Sequence, residues 1–104
     1  MAKLLVVDDE NNLRLVVQKE LSRLGHTVET ASDGEKAWQE LEQKDFDVLL
    51  CDINMPRLDG ISLLRRLREK RQNPPEVIML TGHATVETAI EAMKLGAYDY
   101  LTKP

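Results

Sequence analysis

Four short apolar runs in this chain each stop at a polar residue, and that repeated placement constrains the fold more than any single residue does. Leu4-Leu5-Val6-Val7 precedes Asp8-Asp9-Glu10, and Val48-Leu49-Leu50-Cys51 precedes Asp52. Val77-Ile78-Met79-Leu80 precedes Thr81, and a looser run from Tyr98 to Thr102 precedes Lys103. Short aliphatic runs bounded by loop signals fit strands buried on both faces of a parallel sheet. In an open sheet wrapped by helices, the carboxyl ends of such strands share one rim, and ligands bind there. Acids, a hydroxyl and an ammonium then meet at one edge.

The segments between the runs carry helical periodicity. From Leu13 the apolar positions Val16, Val17, Leu21 and Leu24 recur at three- and four-residue steps, and Gly25 supplies the left-handed residue that stops a helix. Leu15 lies off that stripe and is expected at the surface. His26 to Ala31 alternates as a short strand, and Asp33-Gly34 opens a second helix that carries Ala37, Trp38 and Leu41 inward. Asp45 to Cys51 reads as the third strand. Pro56 and Asp59-Gly60 mark a long loop from Asp52 to Gly60. Ile61, Leu64 and Leu67 make a third helix ended by Asn73-Pro74-Pro75, and Glu76 to Leu80 is the fourth strand. Val86, Ala89, Ile90 and Met93 make a fourth helix closed by Gly96, ahead of the strand from Tyr98 to Thr102. The alternation βαβαβαβαβ predicts an α/β fold, a doubly wound five-stranded parallel sheet with right-handed crossovers.

At 104 residues the chain is one domain. Its longest apolar stretches fall far short of the roughly 18 residues a membrane helix needs, and Met1-Ala2-Lys3 leads directly into a strand without a signal peptide. No membrane association and a cytoplasmic location are expected. A net charge of -4 argues against nucleic-acid binding by this domain, which needs a basic face to release counterions. The one basic cluster, Arg65, Arg66, Arg68, Lys70 and Arg71, is interleaved with Leu63, Leu64 and Leu67 and reads as the wet face of an amphipathic helix. The single cysteine, Cys51, sits in an apolar run and is expected as a small buried hydrophobe with no redox role.

Asp8, Asp9 and Asp52 gathered at one rim repel one another. Two like charges about 4 Å apart cost roughly 4 kcal/mol at an effective dielectric near 20, so a cation is implied. All-oxygen ligation selects a hard divalent ion, and a partial protein shell with room for phosphate oxygens favours Mg²⁺ over a closed Ca²⁺ cage. If Asp52 accepts a phosphoryl group, catalysis is mostly charge neutralisation and alignment. Asp9, Asp52 and a backbone carbonyl near Asn54 hold the ion in that scheme, Lys103 serves another phosphoryl oxygen, and Thr81 donates a hydroxyl bond. Taken alone, Thr81 is more often a strand-end turn residue and Lys103 a solvated lysine, and only their joint placement favours the functional reading.

Asp8-Asp9, Asp52-Ile53-Asn54-Met55-Pro56 with Asp59-Gly60, Thr81-Gly82, and Gly96-Ala97 leading to Lys103-Pro104 together resemble the receiver domain of two-component response regulators. The stretch from Thr81 through His83, Ala84 and Thr85 to Gly96-Ala97-Tyr98-Asp99-Tyr100 is similar to receivers of the nitrogen-regulation class, which precede an ATPase acting with an alternative sigma factor. The resemblance implies a flavodoxin-like sheet of order 2-1-3-4-5. It implies phosphotransfer from a histidine kinase to Asp52 with Mg²⁺ required, in a phosphoacceptor that assists its own phosphorylation and dephosphorylation rather than a conventional enzyme. It also implies that Thr81 swings inward on phosphorylation and Tyr100 follows, so that the face of the fourth helix and fifth strand changes shape and controls an output domain, in this class a transcriptional one. From its residues alone, Tyr100 reads equally as a half-buried aromatic with its hydroxyl in water. His83 stands where the family tunes phosphoryl lifetime.

Receivers continue past the Lys-Pro pair into a fifth helix, whereas this sequence stops at Pro104. A C-terminally truncated receiver spanning 1–104 is therefore expected, with an uncovered apolar strip that invites self-association as a homodimer, docking of a partner helix or rearrangement of the remaining helices. Two rival classes remain. A magnesium-dependent aspartyl-phosphate phosphatase places its nucleophile after the first strand in an Asp-x-Asp arrangement, while Asp8 and Asp9 are adjacent. A flavodoxin-like cofactor binder meets an acidic first loop that repels a flavin phosphate.

Overall fold

The computed structural model describes residues 1–82 and 85–103; His83, Ala84 and Pro104 lie outside the described residues. Strands and helices alternate as β1 (Lys3–Val7), α1 (Asn11–Arg23), β2 (Thr27–Ala31), α2 (Gly34–Gln43), β3 (Val48–Cys51), α3 (Gly60–Lys70), β4 (Glu76–Thr81), α4 (Val86–Lys94) and β5 (Asp99–Thr102). The five strands form one parallel sheet of order β2-β1-β3-β4-β5. Strand order reverses between β1 and β3, which makes their carboxyl ends the switch point of the sheet.

Local chemistry sets the helix ends. Asp33 caps α2 by accepting from the Lys36 amide at 2.8 Å, and Asp59 caps α3 through the Ser62 amide at 2.8 Å. Thr85 and Thr88 form a reciprocal capping box at the start of α4. Gly25 (φ +98) and Gly96 (φ +91) follow α1 and α4 in the left-handed region. The amides after these helices turn back in the same pattern, Gly25 to the Ser22 carbonyl and His26 to Leu21, Gly96 to Met93 and Ala97 to Ala92. Both predicted stop signals therefore act as expected.

One face of the sheet and three helices make the core. Leu49, Cys51, Val77 and Met79 pack with Ala37, Trp38 and Leu41 of α2, Leu63, Leu64 and Leu67 of α3, and Ala92 of α4. The other face carries α1, which packs on β1 and β2. There Val48, Leu50, Ile78 and Leu80 are half-buried and Leu101 is exposed. Among the described residues no helix is long and apolar enough to cross a membrane.

Beyond one-residue shifts at the ends of β2, β4 and β5, the structure departs from the sequence reading in three places. The third strand begins at Val48 rather than Asp45, because the Asp47 carboxylate, not a backbone carbonyl, accepts the Lys3 amide at 2.7 Å and the regular ladder starts at Leu4 opposite Val48. The apolar stripe of α4 faces outward: Val86, Ile90 and Met93 are 75%, 49% and 48% exposed, while Ala92 is buried and Leu95 leans on the core. A small residue lets α4 lie close to the sheet, so its larger side chains are left at the surface. Along α1, Val16 and Leu24 are exposed together with Leu15, since the helix covers only one margin of the sheet.

The basic cluster of α3 is a strap as well as a wet face. Arg65 pairs with Glu91 at 3.3 Å, Arg66 lies over the Trp38 ring, Arg68 donates to the Leu95 and Gly96 carbonyls, and Arg71 donates to the Leu41 carbonyl and pairs with Asp45. These contacts fasten the ends of α2 and α4 to α3.

Candidate functional site

Val7 stands level with Cys51, so Asp8 and Asp52 leave adjacent strands at the same rim. Their amides are anchored, Asp8 to the Ala31 carbonyl at 3.2 Å and Asp52 to the Val7 carbonyl at 2.9 Å. Asp8 Oδ1 accepts from the Glu10 amide at 2.9 Å, and Asp52 Oδ1 accepts from the Asn54 amide at 3.2 Å. Asp8 and Asp52 are buried and Asp9 is exposed. One carboxylate oxygen from each of the three lies within 4.8 Å of the others.

Lys103 enters from the opposite side of the rim. Its amide donates to the Thr81 carbonyl at 2.8 Å, which continues the β4–β5 ladder and aims the side chain inward. Nζ then reaches Asp8 Oδ2 at 2.7 Å and Asp52 Oδ2 at 3.1 Å. A Cβ on Gly82 would stand 3.9 Å from Lys103 Cδ, an ordinary contact, so the lysine stem does not by itself demand glycine there. Thr81 ends β4 fully buried, and Asn54 lies exposed on the loop after β3. Gly60 is demanded by packing, because a Cβ would sit 2.4 Å from the Asp52 carbonyl oxygen. This close approach, with the Gly60 amide donating to Ile53 O at 2.8 Å, seats α3 directly under the strand exit.

The charges are strongly coupled. Burial pushes the Asp52 carboxyl above its ordinary value; Lys103 pulls it back, and the Asp8 charge adds to the rise. For Lys103 burial acts downward, yet its bonds to Asp8 and Asp52 outweigh that and hold the ammonium above its ordinary value. Three carboxylates against one ammonium leave an excess of negative charge among these four side chains, with the Arg14 guanidinium beside them, donating to the Asp8 carbonyl at 2.7 Å. Hard oxygen donors at this spacing, with a net charge of that sign, suit a divalent cation. Beside them the buried Cys51 thiol has its pKa pushed far up by desolvation and then by Asp52, so it stays protonated, as expected of a small hydrophobe.

Tyr100 is half-buried on β5, but its hydroxyl is not left to water. It lies 2.8 Å from Thr88 Oγ1, which belongs to the α4 capping box. Sequence reasoning missed Thr88, although the Thr85-x-x-Thr88 spacing before an apolar segment was the available signal. It also missed the shared hold of Asp8 and Asp52 on Lys103. The His83 expectation falls outside the described residues.

A family model described as "Response regulator receiver domain" matches residues 4–104. The DNA-binding transcriptional regulator NtrC of Escherichia coli (strain K12) is 39% identical over 99 residues, which is 95% of this chain and 21% of that protein. Among solved structures, the receiver domain of the Francisella response regulator 1452 superposes with a TM-score of 0.92 at 38% identity, covering 100% of this chain and 85% of that one. The Thermotoga maritima response regulator TrrA, solved in complex with Mg²⁺-BeF, gives a TM-score of 0.88 at 30% identity, covering 100% of this chain and 88% of that one. The chain thus spans about a fifth of the length of NtrC. With the family model running from Leu4 to its last residue, this chain belongs to the response regulator receiver domains of two-component systems, and its relatives include the nitrogen-regulation class.

Proposed function

We propose that this domain accepts a phosphoryl group on Asp52 from the phosphohistidine of a histidine kinase and relays the change to an output module. The observation that carries the proposal is the joint grip of Asp8 and Asp52 on Lys103, inside a cluster that also holds Asp9. In the transfer, a carboxylate oxygen of Asp52 forms a bond to phosphorus as the phosphorus–nitrogen bond breaks. The imidazole leaves with the electron pair and takes a proton from solvent. Asp52 is held for attack by the Asn54 and Val7 contacts at its side chain and amide. Lys103, ionised across the physiological range, offers its positive charge to a phosphoryl oxygen.

Asp8, Asp9, Asp52 and the backbone near Asn54 are the residues that would hold Mg²⁺, whose charge would offset the excess of negative charge there as the phosphoryl oxygens arrive. The Mg²⁺-BeF complex of TrrA, a similar fold, supports this choice of ion. Thr81, buried at the end of β4, is read as the hydroxyl that turns toward the phosphoryl group, and Tyr100 as the residue that follows. The Tyr100–Thr88 bond supplies a link from that movement to the first turn of α4. Output through the outward apolar side chains of α4 and β5 is consistent with their exposure. The nitrogen-regulation relatives favour a transcriptional output module for the longer protein.

Incubation with acetyl phosphate and Mg²⁺, followed by intact mass measurement, tests this reading. One acid-stable, base-labile phosphoryl adduct is expected, and none when EDTA is present from the start. A carboxyl whose pKa is raised becomes protonated earlier as pH falls, so Mg²⁺ affinity measured by calorimetry is expected to begin its decline above pH 3.8, the ordinary value for an aspartate. An adduct that forms equally without a divalent cation would count against the reading.

A further inference from the structure

The loop between β3 and α3 contributes Asp52 and Asn54 to the proposed site, but a different pair of residues holds its far end. Asp33, in the turn before α2, is 2% exposed, and its Oδ1 is used to cap α2 through the Lys36 amide. Its second oxygen, Oδ2, accepts from Arg57 Nη1 at 3.0 Å, although the arginine side chain is otherwise 67% exposed. Arg57 has φ +70 and is the one non-glycine residue at positive φ among those described. That conformation costs an ordinary side chain about 1 kcal/mol, and glycine would adopt it freely. Leu58, the next residue, presses its backbone on Gly34, where a Cβ would stand 1.9 Å from the Leu58 carbonyl oxygen. Two consecutive loop residues therefore rest on the start of α2, one by charge and one by backbone contact. The Asp33 carboxyl is held below its usual range, chiefly by the Lys36 amide and also by the Arg57 charge, which keeps the pair ionised at neutral pH.

We propose that Asp33 and Arg57 are positioning residues whose ion pair clamps the β3–α3 loop against α2 and so fixes the backbone beside Asp52 for cation binding. The clamp rests on the reading of the site given above, because it matters to the chemistry only if that loop helps to hold the ion. Neither residue touches the reacting atoms. The pair acts through the bonds that close the loop, Gly60 N–H to Ile53 O at 2.8 Å and Asn54 N–H to Asp52 Oδ1 at 3.2 Å.

Asp33→Asn keeps a side-chain oxygen for the α2 cap but removes the charge that faces Arg57; Arg57→Gln removes the other charge. Amide hydrogen exchange in metal-free protein and Mg²⁺ titration by calorimetry are to be measured for each variant and for the double variant. Exchange at Asn54, Leu58 and Gly60 is expected to quicken about 3-fold in each single variant and no further in the double, with Lys36 and the α2 amides unchanged in Arg57→Gln. Mg²⁺ affinity is expected to fall by about the same factor. Loop amides at the original rate, effects that add in the double variant, or acceleration spread evenly through α2 and the core would overturn the clamp. Mg²⁺ binding equally well to parent and variants would also overturn it, while leaving the reading of the site intact. If the loop amides respond as expected but the parent chain binds no Mg²⁺, the clamp is supported and the reading of the site fails.

Discussion

Asp52→Asn is expected to take up no phosphoryl group from acetyl phosphate, a loss of more than about 10³-fold in rate, and yet to melt at a higher temperature than the parent in the absence of metal. The first half follows from replacing a nucleophilic carboxylate with an amide of the same shape. The second follows from the cost of keeping Asp52 ionised. A carboxyl whose folded pKa is raised favours the folded state at low pH, and that contribution is lost as pH rises from 3.8 through the folded value. At neutral pH the charge is a burden that asparagine does not carry, and relief of such site strain is worth a rise of roughly 2–5 °C. Lys103 does not reverse the sign, because the upward shift of Asp52 already includes its opposing pull. Below about pH 3.8 the two melting curves are expected to converge. Saturating Mg²⁺ is expected to invert their order, since a ligand that binds the folded state stabilises only the protein that holds it well. Thermal melts with and without Mg²⁺ at two pH values read all of these outcomes.

Gly34→Ala is expected to lower the melting temperature by roughly 8–16 °C, the counterpart of about 2 kcal/mol in a domain of this size. Propensity argues the other way, because alanine favours a helix over glycine by about 1 kcal/mol. Packing wins here. The added Cβ would stand 1.9 Å from the Leu58 carbonyl oxygen and 2.6 Å from Leu58 Cβ, so the loop backbone must move. Overpacking of that kind costs about 1–3 kcal/mol and more when backbone rather than a flexible side-chain end has to shift. The displaced segment lies between Asp52 and Gly60, so Mg²⁺ binding is expected to weaken as well. A melting temperature equal to or above the parent's, measured by circular dichroism, would show that the close approach of Gly34 to Leu58 is not a feature of the folded domain.

What could be read from the chain before its coordinates depended on whether a residue's neighbours are near in sequence. Strands β1, β3 and β4 announce themselves because nearly every residue in them is aliphatic, although one face of β3 and β4 is only half-buried. The rim residues Asp8, Asp52 and Thr81 follow at once from where those runs stop, and Lys103 from the end of the looser run that becomes β5. Gly25 and Gly96 were legible for the same reason, since a helix stop is a local matter of backbone sterics. The face that α4 buries was not. Val86, Ile90 and Met93 look like a core stripe by spacing, but Ala92 is the residue that allows the helix to approach the sheet. The start of β3 is not legible either, because one side-chain contact, Asp47 to the Lys3 amide, replaces a backbone bond. Arg57 and Asp33 are 24 positions apart and carry no shared motif, so their pairing appears only when the loop is folded against α2. Tyr100 finding Thr88 is a partner choice of the same sort.

Reductive trapping with borohydride, followed by peptide mapping after treatment with acetyl phosphate and Mg²⁺, bears most directly on the convergence of Asp8, Asp9, Asp52 and Lys103 into one phosphoryl-accepting pocket. Conversion of Asp52 alone to homoserine is the expected result, with Asp8 and Asp9 unmodified. Trapping at Asp8, Asp9 or a residue away from the rim would contradict the assignment of Asp52 as the acceptor.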